Sequence, residues 1–231
     1  MDLATSQDVL NSIPQNSSTI FESTKSYKDN STIMIIPTRG MIDFRVVNSL
    51  MMIIKPPNQQ FLHLWGAGME VGDAYNSMVK TIVEHPQLKD FKYLFTVEDD
   101  MVLPPDTLIK LLANIGDYDS LSALYYVKGD QLPLPQCWGD PKISDDNFIP
   151  QMPLEHGILE VNGIGMGACL WKLEQFKNVP EPWFKTLASV EEGCGTQDLY
   201  YCKKARKAGK KFGVLCDLRV GHLDINAGVL Y

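Results

Sequence analysis

Three short apolar runs, separated by stretches with helical spacing, constrain this chain more than any other feature. Thr32-Ile33-Met34-Ile35-Ile36 is a buried-strand run closed by Pro37. Val46/Val47, Leu50 and Ile53/Ile54 then recur at the helical period until Pro56-Pro57 stops them. Phe61-Leu62-His63-Leu64-Trp65 reads as a second strand, and Ala74, Met78, Val79, Ile82 and Val83 as a second helix. The run Phe91 to Val97 supplies a third strand. A β-α-β-α-β order implies a parallel sheet with right-handed crossovers.

The pattern continues to the end of the chain. Pro104 and Pro105 suit the first helical turn before Leu108, Leu111, Leu112 and Ile115, with Gly116 as the stop. Leu121 to Tyr126 is a strand, followed by an irregular stretch from about 127 to 156 that carries many Pro, Asp and Gly residues. Ile158 to Val161 and Met166 to Trp171 are further strand signals. A last helix is expected from about Asp198 to Ala208, with Thr196 before it and Gly209 after it. Phe212 to Cys216 is the final strand, leading into Gly221-His222-Leu223-Asp224. Residues 1–30 are rich in Ser, Thr, Asn and Gln, which predicts a polar extension, mobile or docked as a helix. Residues 31–231 are then one α/β domain, a size that 231 residues with 45% hydrophobic content supports.

A net charge of −7 argues against nucleic acid as a partner, because such proteins carry a basic face. The five cysteines form no CxxC pair and lie mostly in apolar segments, as reduced core residues of a cytosolic protein would. No run approaches the roughly 18 apolar residues of a membrane span, and no secretory signal opens the chain. A cytoplasmic location is the expectation.

Chemistry concentrates where the third strand ends. Glu98-Asp99-Asp100 places three carboxylates together after an apolar run. Like charges at that spacing repel, and a divalent cation relieves the repulsion. Strand ends are also where α/β proteins hold ligands. The competing reading is a solvated turn before a helix, where acidic residues favour the N-terminal dipole. His222, after the final strand and a glycine, offers an imidazole to coordination begun by Asp100. Such a mixed oxygen and nitrogen site suits Mn²⁺ better than Mg²⁺. Asp198, in the first turn of the last helix, is a candidate general base, with simple helix-start chemistry as its alternative.

Five segments in this order resemble GT-A-fold nucleotide-sugar glycosyltransferases, most nearly the small, single-domain, family-2-like enzymes of bacteria and their viruses. They are Ile33 to Gly40, Val97 to Asp100, Gly163 to Gly167, Gly195 to Tyr200 and Gly221 to Leu223. The resemblance covers about Thr32 to Asp224. It implies a GT-A, Rossmann-like, mixed but mostly parallel sheet flanked by helices. It implies a metal-dependent, inverting transfer of a sugar from a UDP- or GDP-type donor to a glycan or other hydroxyl. Glu98-Asp99-Asp100 looks like the DxD motif, with Asp100 and His222 on the metal and Glu98 and Asp99 facing ribose or base. Asp198 looks like the base. Pro37, Thr38 and Arg39 would line the nucleotide pocket, Asn76 would contribute to it, and Gly165 and Gly167 would let the backbone approach the donor. The chain departs from the pattern at Glu98, at Gln197 before the base, and at Tyr75, where many relatives carry Arg.

Trp138 and Trp183 are candidate acceptor platforms, or aromatics covering a core edge. Lys203, Lys204, Arg206, Lys207, Lys210 and Lys211 are a solvated helix face or a contact for an anionic membrane. Two rival functions remain open on the sequence: a nucleotidyltransferase, and a non-catalytic nucleotide- or sugar-binding module of the same fold.

Overall fold

The computed structural model describes residues 28–187 and 195–231. The predicted N-terminal extension lies almost wholly outside the described residues. From there the elements follow the expected order: β1 (Thr32–Thr38), α1 (Phe44–Met51), β2 (Phe61–Ala67), α2 (Val71–Glu84) and β3 (Tyr93–Val97). Asp43 caps α1 by accepting from the Arg45 N–H, and Glu70 caps α2 by accepting from Gly72 and Asp73. β1 pairs in parallel with β2 on one side and β3 on the other.

Two boundaries differ from expectation. A short strand, β4 (Met101–Val102), precedes α3 (Thr107–Asn114), whose N-cap is Asp106. Pro104 and Pro105 therefore stand before the helix rather than in its first turn, and the Pro104 carbonyl accepts from the Thr107 hydroxyl at 2.7 Å. The strand predicted through Tyr126 breaks at Tyr125. β5 (Ser120–Leu124) stays in the main sheet, whereas β6 (Tyr126–Val127) turns away to pair with β7 (Leu134–Pro135).

The rest of the chain completes the sheet. β8 (Cys137–Trp138) pairs with β10 (Gly163–Ile164), flanking β9 (Ile158–Val161). Then come β11 (Ala168–Lys172), the short α4 (Gln175–Asn178), α5 (Gln197–Lys207), β12 (Phe212–Arg219), β13 (Gly221–Asp224) and β14 (Val229–Leu230). The main sheet has seven strands in the order β2-β1-β3-β11-β5-β12-β9. β11 runs antiparallel to both its neighbours and β9 antiparallel to β12; the other pairings are parallel. β11 enters at the edge where β3 ends, with Ala168 opposite Val97. No crossover helix carries the chain to the far edge first, so the strand must run backwards.

Helices cover both faces. Alternate β1 side chains divide between two cores, Ile33 and Ile35 on one, Met34 and Ile36 on the other. The first core joins α2, α4 and α5; the second joins α1 and α3. Cys137, Cys169, Cys202 and Cys216 are buried in the interior, and Cys194 lies outside the described residues. No helix among the described residues is long and apolar enough to cross a membrane.

Trp171 centres the first core. Its ring meets Phe176, Tyr201 and Phe212 at 5.9, 5.6 and 6.3 Å between centroids, and its indole N–H donates to the Thr96 hydroxyl at 3.0 Å. Trp171→Ala removes all three contacts and opens a cavity. It should cost about 3–5 kcal/mol, seen as a lower urea midpoint at unchanged m-value.

Candidate active site

Strand polarity brings the chemistry to one edge. β1 and β3 both end there, and β11 begins there. The cleft they frame has a volume of about 390 Å³. Pro37, Thr38 and Arg39 line it from the end of β1, and Glu98, Asp99 and Asp100 from the end of β3. Met69, Glu70 and Val71 contribute from the start of α2, and Gln197 from the start of α5. Six of the residues singled out in the sequence thus share one cavity wall.

His222 arrives by a backbone route. β13 pairs antiparallel with β4, placing His222 opposite Met101, and the Leu223 N–H donates to the Asp100 carbonyl at 2.8 Å. The His222 Nε2 then stands 3.3 Å from Asp100 Oδ2. Asp100 Oδ1 and His222 Nδ1 are buried and find no hydrogen-bond partner among the described residues. Two ligands at right angles on an ion with bonds of about 2.1 Å are about 3 Å apart, so this pair has the spacing of adjacent ligands. Among the described residues no group of three His, Cys, Asp or Glu side chains is placed to hold an ion alone.

Asp198 is buried in the first turn of α5. Burial pushes its carboxyl above the ordinary range, opposed by hydrogen bonds from the Thr196 side chain and the Leu199 N–H, the latter at 2.8 Å. Thr196 occupies the N-cap as expected, yet its hydroxyl makes no bond to the helix backbone. It serves the Asp198 carboxylate instead.

Glu98 is the most perturbed acid of the cleft. Partial burial, then repulsion from Asp100, Asp198 and Asp99, pushes its carboxyl from 4.5 to about 8. Repulsion from Asp198 puts the candidate base in the same electrostatic neighbourhood as the strand-end acids. Asp99 has a structural task as well, since its Oδ2 accepts from the Arg39 N–H at 3.2 Å and ties the two strand ends together.

Four expectations need correction. Asn76 does not face the cleft: its amide donates to the Phe184 carbonyl at 2.6 Å and accepts from the Trp183 and Phe184 N–H groups at 3.0 Å. It is a clamp on the segment leading towards α5. Trp183 is buried, with its indole N–H on the Phe176 and Val179 carbonyls, so it is a core residue rather than a sugar platform. Trp138 pairs with Gly163 in the β8–β10 ladder and does not line the cleft. Gly165 and Gly167 make room for a protein ring, that of Tyr125. A Cβ on Gly165 would lie 2.0 Å from the Tyr125 hydroxyl, and one on Gly167 2.8 Å from Tyr125 Cζ. The Gly167 N–H donates to that hydroxyl, and the Gly167 carbonyl accepts from the Glu98 N–H at 3.1 Å.

The sequence reading missed Glu70 and Tyr125. One Glu70 oxygen caps α2 and the other accepts from the Thr186 hydroxyl at 2.8 Å, at the lip of the cleft. An acidic residue just before an apolar helical pattern was the available signal. Tyr125 gave none, because its role depends on glycines some 40 residues later. Tyr75 is fully buried against Phe184, its ring centroid 5.3 Å away, so it brings no charge to the cleft. The basic residues in and just after α5 are largely engaged within the chain: Lys203 on Asp146, Arg206 on Asp145, Lys210 on Asp119, and Lys204 on the Pro180 and Pro182 carbonyls.

No family model and no curated protein matches the sequence. Solved structures do match. A197 from STIV aligns with a TM-score of 0.58 at 17% identity, over 84% of this chain and 85% of that one. The 1–349 fragment of S. aureus TarS, solved with UDP-GlcNAc, aligns with a TM-score of 0.51 at 15% identity. That match covers 82% of this chain and 57% of the fragment. The fold is GT-A. As a GT-A domain the chain carries its acidic cleft at the carboxyl ends of the first and third strands.

The raised Glu98 carboxyl has a consequence for stability. The folded protein keeps this proton up to about pH 8, whereas the unfolded chain releases it near 4.5. Between those values the folded state binds the extra proton, so stability falls as pH rises. Melting temperature without added metal should decline across that window, and the decline should shrink in Glu98→Gln.

Proposed function

We propose that the chain transfers a sugar from a nucleotide-diphosphate donor to an acceptor hydroxyl, with inversion at the anomeric carbon. The observation that carries this reading is the approach of His222 to Asp100, 3.3 Å apart at the lip of a cleft that also holds Gln197, next to Asp198. Asp100 and His222 would hold a divalent ion, Mn²⁺ in preference to Mg²⁺ because one donor is nitrogen. The unpartnered Asp100 Oδ1 fits that use. The ion supplies charge stabilisation for the leaving diphosphate.

The chain's own residues do the rest. Pro37, Thr38 and Arg39 bound the nucleotide end of the cleft, with Arg39 fixed by Asp99. The Asp198 carboxylate takes the proton of the incoming hydroxyl as that oxygen attacks. Burial keeps bulk water from Asp198, and the hydrogen bonds from Thr196 and Leu199 hold its orientation. The UDP-GlcNAc bound to TarS, on the same fold, supports a UDP-sugar as the first donor to try.

Two variants test the roles separately. Asp198→Asn should keep nucleotide affinity and lose about 10²- to 10⁴-fold in transfer rate; unchanged turnover removes the base assignment. Asp100→Ala should abolish the Mn²⁺-dependent part of UDP binding in titration calorimetry, and equal affinity in the variant removes the metal site. Products from a panel of nucleotide sugars sort the function itself, because a sugar transferred or released means a transferase, whereas pyrophosphate release means a nucleotidyltransferase.

A further inference from the structure

The outer face of the α1–β2 unit is apolar where a water-facing surface should be polar. α1 buries Val46, Ser49 and Leu50, as an amphipathic helix does. Its opposite face presents Phe44 and Met51, 77% and 80% exposed, with Val47 beside them. Neighbouring side chains this large, apolar and exposed mark a contact surface. Met41, Met52 and Ile54, close to α1 in the chain, are exposed too, and Trp65 of β2 lines one groove with Val47, Met51 and Lys55. β2 is the end strand of the main sheet, so among the described residues no strand covers its outer side.

The charge of this face differs from that of the chain. Residues 39–69 carry Arg39, Arg45 and Lys55 against Asp43 alone, in a protein of net charge −7. Lys55 holds its ammonium over the Phe61 ring, 5.2 Å from the centroid, and lines the same groove as Met51 and Trp65. The long 128–156 loop also exposes large apolar side chains, Leu132 and Met152 among them. There they stand among Asp130, Asp140, Asp145, Asp146 and Glu155, against Lys128 and Lys142 alone. The contrast selects the occupant. A second copy docked by two-fold symmetry would bring two Lys55 side chains into one contact with no carboxylate lining either groove, because Asp43 is already paired with Arg45.

We propose that the α1–β2 face docks on an anionic lipid bilayer, with Phe44, Met51 and Trp65 entering the acyl boundary and Lys55 at the phosphates. Apolar burial and attraction to acidic headgroups act together in such contacts. Arg39 and Met69 border the cleft just beyond the ends of β1 and β2, and β2 carries Trp65. On the transferase reading, this places the acceptor hydroxyl on a molecule held at the membrane surface.

Vesicle binding of the full chain, measured without nucleotide, tests the docking apart from the activity. The protein should co-sediment with vesicles of phosphatidylcholine plus phosphatidylglycerol, and much less with phosphatidylcholine alone or in high salt. Brominated lipid should quench an emission component that disappears in Trp65→Phe. The double variant Phe44→Ser/Met51→Ser alters two exposed side chains and opens no cavity. It should partition at least about tenfold more weakly, while Met152→Ser binds like the wild type. No binding to the anionic vesicles, equal binding by the double variant, or a dimer that the same two substitutions dissolve would each overturn the proposal. Absence of transfer activity with intact vesicle binding would instead count against the transferase reading alone.

Discussion

A two-residue ladder between β4 and β13 sets the position of everything chemical in this molecule. The bond from the Leu223 N–H to the Asp100 carbonyl fixes β13 against the acidic turn. His222 is then held from both sides, since its N–H and carbonyl also pair with Tyr231 at 3.1 and 2.9 Å. The imidazole reaches Asp100 because backbone bonds put it there, not because the side chains sought each other. The Tyr125 ring lies against the imidazole at 6.3 Å between centroids, and Gly165 and Gly167 leave that ring its space. Three segments far apart in sequence thus fix one side-chain pair.

The acids of the cleft are arranged at a cost. Glu98, Asp99 and Asp100 crowd the end of β3, with Asp198 close enough to act on Glu98. Without a counter-charge, the cheapest relief is a proton on Glu98. On the transferase proposal, a bound cation would offer the same relief. The surrounding clamps make the same point in structural terms. Asp99 ties down Arg39, Asn76 holds the 183–184 backbone, and Thr196 holds Asp198. Each spends a polar side chain on orientation, which keeps reacting groups in place at no further cost when a substrate binds.

The two edges of the sheet are not equivalent. At the β9 edge, apolar loop residues mix with acids; at the β2 edge they mix with cations and border the cleft. This polarity gives the domain an orientation relative to any charged surface. The basic residues in and just after α5, conspicuous in the sequence, are poor candidates for such a contact, since Asp146, Asp145 and Asp119 meet Lys203, Arg206 and Lys210.

The periodicity of the chain alone determined the alternation of strands and helices, the parallel pairing of β1 with β2 and β3, and the place of Glu98-Asp99-Asp100 at a strand end. Those features depend on neighbours within a few residues, and hydrophobic spacing records them. The antiparallel return of β11, the β4–β13 ladder and the engagement of Asn76 with Phe184, 108 residues away, were decided by the tertiary structure. So were the burial of Trp183 and the use of Gly165 and Gly167 as room for Tyr125. A glycine reads the same in a sequence whether a ligand or a tyrosine ring approaches it. Only the packed fold says which one does.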